Sequence, residues 1–187
     1  MNGEKYRHRR TLIVGEVRSG KTGCTLRVFR SLRKTCPGPF GVLDLAPEEV
    51  NGVGGKLPLS EEEKGGVIYL SPLIVPPRLR GKSEEEVRRL AGENRERIDQ
   101  ILRTPKASGV NVLFVNDVSL YFHAGRAEQL WLQVKGIPTL ILNGYYGRYF
   151  GDSSLSRRER SEMEFLMARC DRVLYFPPYS LPDSSPV

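Results

Sequence analysis

Residues 11–25 read TLIVGEVRSGKTGCT. A short apolar, β-branched run breaks at Gly15, and apolar residues at helical spacing resume only after Lys21. Between them residues 15–22, GEVRSGKT, satisfy the spacing G-x-x-x-x-G-K-[ST] in full. Each residue type has a physical reason at its place. Phosphates carry dense negative charge, and successive backbone N–H groups in a glycine-permitted loop make a concave anion nest. A helix beginning near Lys21 adds unpaired N–H donors and the positive end of its dipole. Gly15 and Gly20 let the backbone turn and come close to a ligand. Lys21 would reach the β- and γ-phosphates, and Thr22 would set its hydroxyl on Mg²⁺. The expected nucleotide contacts are therefore Gly15, Glu16, Val17, Arg18, Ser19, Gly20, Lys21, Thr22 and Gly23.

Working outward, KTGCTLRVFRSLRK places Leu26, Val28, Phe29 and Leu32 at helical spacing before Pro37-Gly38-Pro39 ends the run. FGVLDL (40–45), GVIYL (66–70), VNVLFVND (110–117), PTLILN (138–143) and DRVLYF (171–176) read as further buried strands. Ser83 and Glu86 form a capping box at the head of a long helix, and AGRAEQLWLQVKG reads as a short one. LSRRERSEMEFLMARC is an amphipathic helix with Leu155, Met163, Leu166 and Met167 inward. Apolar strands alternating with helices predict a three-layer α/β domain, its sheet mostly parallel and covered on both faces. That domain is expected over residues 1–176, followed by a flexible Pro/Ser-rich tail over 177–187. Residues 46–65 lack any period and read as a mobile loop, and 71–82 as a proline-punctuated connection long enough for a lid.

A phosphate loop needs an acid on a neighbouring strand to share the metal. Asp117, at the end of VNVLFVND, fits; Asp44, ending FGVLD, is its rival. The residue after Asp117 is Val118, where many hydrolytic ATPases have glutamate. Asn143 ends an apolar strand at the edge where ligands gather, which suits a phosphate-sensing or water-positioning role or a plain turn before Gly144. The expected catalytic set is Lys21, Asp117 and Asn143, with Thr22 and Asp117 on the metal. Arg157, Arg158 and Arg160 open a helix, where the dipole disfavours cations, so a phosphate-clamp role stands beside solvated surface. GYYGRYFG (144–151) could stack on a ring or pack as a loop.

Net charge is +7, with basic clusters at 5–10, 27–34, 78–82 and 156–160. That surplus leaves nucleic acid open as a partner beside a merely solvated surface. Three cysteines and two histidines show no metal-ligand spacing, which suits reduced thiols in a cytoplasmic protein. No apolar run approaches the roughly 18 residues of a membrane span, so no membrane association is expected.

With these residues placed, the chain resembles the P-loop family of adenosylcobinamide kinase/adenosylcobinamide-phosphate guanylyltransferase. GEVRSGKT resembles its phosphate loop, and NDVSLYF (116–122) the acid-then-aliphatic stretch of its metal strand. LILNGYYG (140–147) and LSRRERSEMEFLMARCDRVLYF (155–176) resemble its strand ending in Asn and its Arg-rich final helix and strand. The family's guanylyltransferase chemistry uses a histidine beyond the second strand, a place occupied by neither His8 nor His123. A second resemblance is to small DNA-translocating and genome-packaging ATPases, in which a strand-end polar residue senses the γ-phosphate and the enzyme works as a ring. The expectation is a P-loop NTPase fold that binds Mg²⁺ with ATP or GTP and transfers the γ-phosphoryl group, as kinase or NTPase. Its expected partners are the nucleotide, an unidentified small-molecule acceptor or nucleic acid, and further copies of the chain in a homo-oligomer. A nucleotide-binding regulator without turnover is the remaining alternative.

Overall fold

The computed structural model describes residues 2–49 and 53–176. The expected tail over 177–187 lies outside the described residues. Among the described residues six strands, β1 (Arg10–Gly15), β2 (Phe40–Asp44), β3 (Val67–Leu70), β4 (Val112–Asn116), β5 (Thr139–Tyr145) and β6 (Arg172–Phe176), form one sheet in the order β3-β2-β4-β5-β1-β6. Every pairing is parallel. The helices are α1 (Lys21–Thr35), α2 (Glu61–Lys64), α3 (Pro77–Arg80), α4 (Glu84–Ile101), α5 (Thr104–Ala107), α6 (Ala127–Val134) and α7 (Ser154–Met167). A 3₁₀ turn over Val118–His123 follows β4.

Alternation along the strands builds two cores. Leu12, Val14, Leu113, Val115, Leu140 and Leu142 point to one face, where α4, α6 and α7 bring Ile98, Leu130, Met163 and Leu166. Ile13, Val42, Phe114 and Ile141 point to the other, where α1 brings Val28, Phe29 and Leu32. Central strands buried on both faces need continuous apolar runs, as VNVLFV and TLIL supply.

Two local expectations are corrected. Residues 46–65 are anchored through their described part: Leu57 and Leu59 are buried in the α1-side core, and Ser60 with Glu63 caps α2 reciprocally. Two leucines carry that segment inward without any periodicity to announce it. At α4, Ser83 Oγ accepts from Glu86 N–H, but Glu86 accepts from the backbone of Lys82 rather than of Ser83.

β1 and β5 are neighbours, yet their following helices leave to opposite faces: α1 to one and α7 to the other. Connections that diverge in this way open a crevice at the carboxyl ends of the two strands.

Candidate functional site

The crevice holds a cavity of about 320 Å³, lined in part by Gly20, Lys21, Thr22 and Asp117. The loop between β1 and α1 has the backbone its sequence asks for. Gly20 caps α1 in the left-handed region at φ 91°, and Arg18 shares that region at φ 58°. The first helical bond of α1 runs from Cys24 N–H to the Gly20 carbonyl at 3.0 Å, and no side chain caps the helix. The N–H groups of Lys21, Thr22 and Gly23 therefore precede the helical ladder and face the loop as anion donors. At Gly15 a Cβ would fall 2.2 Å from the Phe176 carbonyl oxygen, so β6 presses on the loop so closely that only glycine fits.

Lys21 Nζ donates to the Glu16 carbonyl and to Ser19 Oγ at 3.3 Å. Burial pushes its ammonium below the ordinary lysine range, against the opposing pull of Asp117 and Glu16. The Glu16 carboxylate accepts from Arg148 N–H at 2.6 Å and Tyr149 N–H at 3.3 Å. This ties the aromatic loop after β5 to the phosphate loop. Within that loop Tyr145, Tyr149 and Phe150 pack edge to face, and Phe150 reaches the cavity while Tyr149 stays exposed.

Asp117 sits in the left-handed region at φ 56° and opens into the cavity. Burial raises its carboxyl to about 6, against the lowering effect of Ser119 and Lys21. Ser119 Oγ donates to Asp117 Oδ1 at 2.8 Å and accepts from Tyr145 N–H at 3.1 Å. Thr22 and Asp117 thus offer a hydroxyl and a carboxylate to one space, an oxygen donor set of the kind a hard divalent cation takes.

Asn143 is buried, and its amide is committed. Oδ1 accepts from Asp117 N–H at 2.9 Å, while Nδ2 donates to Thr25 Oγ1 and Asn116 Oδ1, both at 2.8 Å. Both amide hydrogens are spent, so a phosphate contact would require breaking one of these bonds. Asp44 is fully enclosed, accepting from Leu57 N–H, the Tyr69 hydroxyl and Asn116 Nδ2 at 2.7 Å each. Its carboxylate is tied into the protein rather than offered to a ligand, which corrects its candidacy as a metal acid. Val118 is fully buried, so the position after Asp117 points into the core.

The phosphate-clamp reading of the three arginines of α7 is corrected as well. Arg157 pairs with Asp152, Arg158 donates to the carbonyls of Phe122, Ala124 and Gly125, and Arg160 to that of Gly147. They hold neighbouring carbonyls, and none lines the cavity. Three residues that sequence reasoning missed do line it: Arg78 from α3, His123 from the 3₁₀ turn and Glu159 from α7. Glu159 was hidden between arginines in RRER, and Arg78 in a segment readable only as a connection.

No protein-family model matches the chain, and no curated protein matches it. Among solved structures, the flagellar accessory protein FlaH from Methanocaldococcus jannaschii is similar at 12% sequence identity and a TM-score of 0.46, over 83% of this chain and 68% of that one. The Pif1 helicase from Candida albicans is similar at 12% identity and a TM-score of 0.38, over 91% of this chain and 36% of that one. No helix among the described residues is long and apolar enough to cross a membrane.

Proposed function

We propose that the chain binds a nucleoside triphosphate with Mg²⁺ and transfers its γ-phosphoryl group to a small acceptor held in the same cavity. One observation carries this reading: the loop amides, Lys21 and Thr22 face the same space as Asp117, which arrives from a different strand. In this reading the phosphates take the N–H groups at the head of α1. Lys21 exchanges its present acceptors, the Glu16 carbonyl and Ser19 Oγ, for phosphate oxygens. Thr22 and Asp117 hold Mg²⁺, which would supply charge neutralisation on the transferring group. Asn143 acts as a positioning residue that fixes the backbone of Asp117.

The acceptor oxygen forms its bond to the γ-phosphorus as the bond to the β,γ-bridging oxygen breaks. The nucleoside diphosphate leaves, and the hydroxyl proton passes to solvent. Catalysis of this kind is mostly placement and electrostatics, so no protein nucleophile is required. Membership of the adenosylcobinamide kinase family is no part of this reading.

The test is calorimetry with Mg-ATP and Mg-GTP, followed by turnover with and without added DNA, on the full chain and on Lys21→Ala. Binding that Lys21→Ala abolishes, with turnover indifferent to DNA, supports the reading. Strong stimulation by DNA that fades with salt would shift it to a nucleic-acid-dependent ATPase. Absence of binding by either nucleotide sinks both.

A further inference from the structure

A second cluster lines the same cavity, built by residues outside the phosphate loop. Arg78, His123 and Glu159 meet there from three separate elements. Arg78 Nη2 donates to Glu159 Oε2 at 2.7 Å and to Ser156 Oγ at 3.4 Å. Arg78 Nη1 lies 3.0 Å from His123 Nε2, which is itself 3.2 Å from Glu159 Oε1. The guanidinium sits 4.7 Å from the centre of the Phe150 ring. Only 2% of the Glu159 side chain and 14% of the Arg78 side chain are exposed, so water screens this pair poorly.

Charge decides what such a cluster can hold. A subsite for a second phosphate or carboxylate presents a cation left over for it, as the phosphate loop presents Lys21. Arg78 is not left over, because Glu159 matches its charge at contact distance. Arg78 Nη1 can only donate, so His123 Nε2 accepts from it and the imidazole brings no second cation. An incoming anion would therefore meet an ionised, poorly screened carboxylate. Pro76, Pro77, Leu79, Leu120 and the Phe150 ring add apolar surface to the same lining. Two buried atoms of the cluster, Arg78 Nε and His123 Nδ1, have no hydrogen-bond partner among the described residues. The wall thus combines apolar surface with a buried ion pair whose charges match.

We propose that this part of the cavity receives the phosphoryl acceptor, that the acceptor is an uncharged alcohol carrying an apolar ring, and that Glu159 keeps anionic competitors out. The inference rests on the phosphotransfer reading above. Phosphotransfer needs a hydroxyl directed at the bound phosphate, and the apolar wall seats the remainder of the molecule. Glu159 is a specificity residue here.

The experiment uses the full chain saturated with Mg²⁺ and a non-hydrolysable ATP analogue, so that the phosphate loop cannot itself capture an anion. Benzyl alcohol, benzoate and phenyl phosphate are compared as probes by ligand-observed NMR titration. Benzyl alcohol is expected to bind about tenfold more tightly than either anion. Leu79→Asp, at a lining position that is 40% exposed, is expected to weaken the alcohol about fivefold or more and leave the analogue's affinity unchanged. Glu159→Gln keeps the shape and releases the charge of Arg78, so phenyl phosphate is expected to gain about tenfold. An anion bound as tightly as the alcohol, no alcohol binding, or indifference to Leu79→Asp overturns the proposal while nucleotide binding stands. An unchanged preference in a folded Glu159→Gln removes that residue from the role; if this variant does not fold, Leu79→Asp and the unmodified chain decide. Failure of the ATP analogue to bind removes the phosphotransfer reading itself, and this inference with it.

Discussion

Replacing Asn143 with alanine separates a brace from a phosphate sensor. The side chain is 3% exposed and makes three hydrogen bonds, to Asp117 N–H, Thr25 Oγ1 and Asn116 Oδ1. Truncation leaves the Asp117 N–H without its acceptor and Asn116 Oδ1 without its donor. Thr25 is hurt less, because its hydroxyl still donates to the Lys21 carbonyl at 3.0 Å. A buried polar group left unmet costs about 1–3 kcal/mol. The adjoining cavity lets water reach part of the gap, which argues for the lower half of that range per bond. Two full losses and one partial loss give roughly 3–5 kcal/mol. Urea unfolding of the nucleotide-free chain measures this directly: the midpoint falls with an unchanged m-value. Turnover should fall too, because the left-handed backbone of Asp117 loses its tether, and nucleotide affinity should weaken in step. A loss under about 1 kcal/mol together with a hundredfold fall in turnover would refute the brace, since only a direct contact with the reacting phosphate behaves that way.

Lys21→Ala should abolish measurable nucleotide binding while leaving the empty chain at least as stable, because the lysine is held desolvated and below its ordinary pKa; calorimetry and thermal unfolding check the two halves. Asp117 titrates at about 6 folded against 3.8 as a free carboxyl, so its contribution is fully present below pH 3.8 and is lost as pH rises through 6. Without metal or nucleotide, Asp117→Asn should match the unmodified chain near pH 4 and exceed its stability by up to about 3 kcal/mol at pH 7; denaturant titrations across that window test it, and a constant gap would contradict the assignment. Gly15→Ala forces a Cβ to within 2.2 Å of the Phe176 carbonyl oxygen, and should lower stability by about 2 kcal/mol or more in urea unfolding. Glu16→Ala releases Arg148 N–H and Tyr149 N–H, so residues 146–150 should be cut faster under limited proteolysis while global stability changes by less than about 1 kcal/mol.

What could be read from the chain was what local chemistry dictates. GEVRSGKT between a β-branched run and a helical one leaves few alternatives, because both glycines adopt positive φ values and the lysine follows at a fixed offset. VNVLFV announces a strand buried on both faces, and Asp117 follows from where that strand stops. The second cluster in the cavity lining obeys no local rule. Arg78 and Glu159 are 81 residues apart, and Arg78 and His123 are 45 apart. Their meeting depends on α7 crossing back over the 3₁₀ turn. Glu159 reads as the polar face of an amphipathic helix because it is one; that part of the face looks into a cavity instead of into water. The clustered arginines invited the opposite error. A cation at a helix head suggests a ligand, yet Arg158 meets a demand that no linear pattern displays, the free carbonyls at the end of the 3₁₀ turn.

The polar residues along the carboxyl edge of the sheet form one continuous chain. Asp44 accepts from Asn116, Asn116 from Asn143, and Asn143 donates in turn to Thr25 of α1, whose hydroxyl returns to the Lys21 carbonyl. Four elements, β2, β4, β5 and α1, are thereby fixed to one another by side chains at the level of the cavity floor. The amide orientations are not arbitrary: Asn143 Oδ1 must face the Asp117 N–H, which turns its Nδ2 toward Asn116 and Thr25 and leaves Asn116 Nδ2 for Asp44. One backbone donor thus sets the direction of the whole chain. Such a network is costly if half-made and stiffening once complete. It spans the gap between the two groups whose separation matters most for a bound polyphosphate, the helix head at Lys21 and the carboxylate of Asp117. β5 lies between their parent strands, and Asn143 is the side chain through which it holds both. A buried carboxylate at Asp44, costly alone, is stabilised as the anchor of that row.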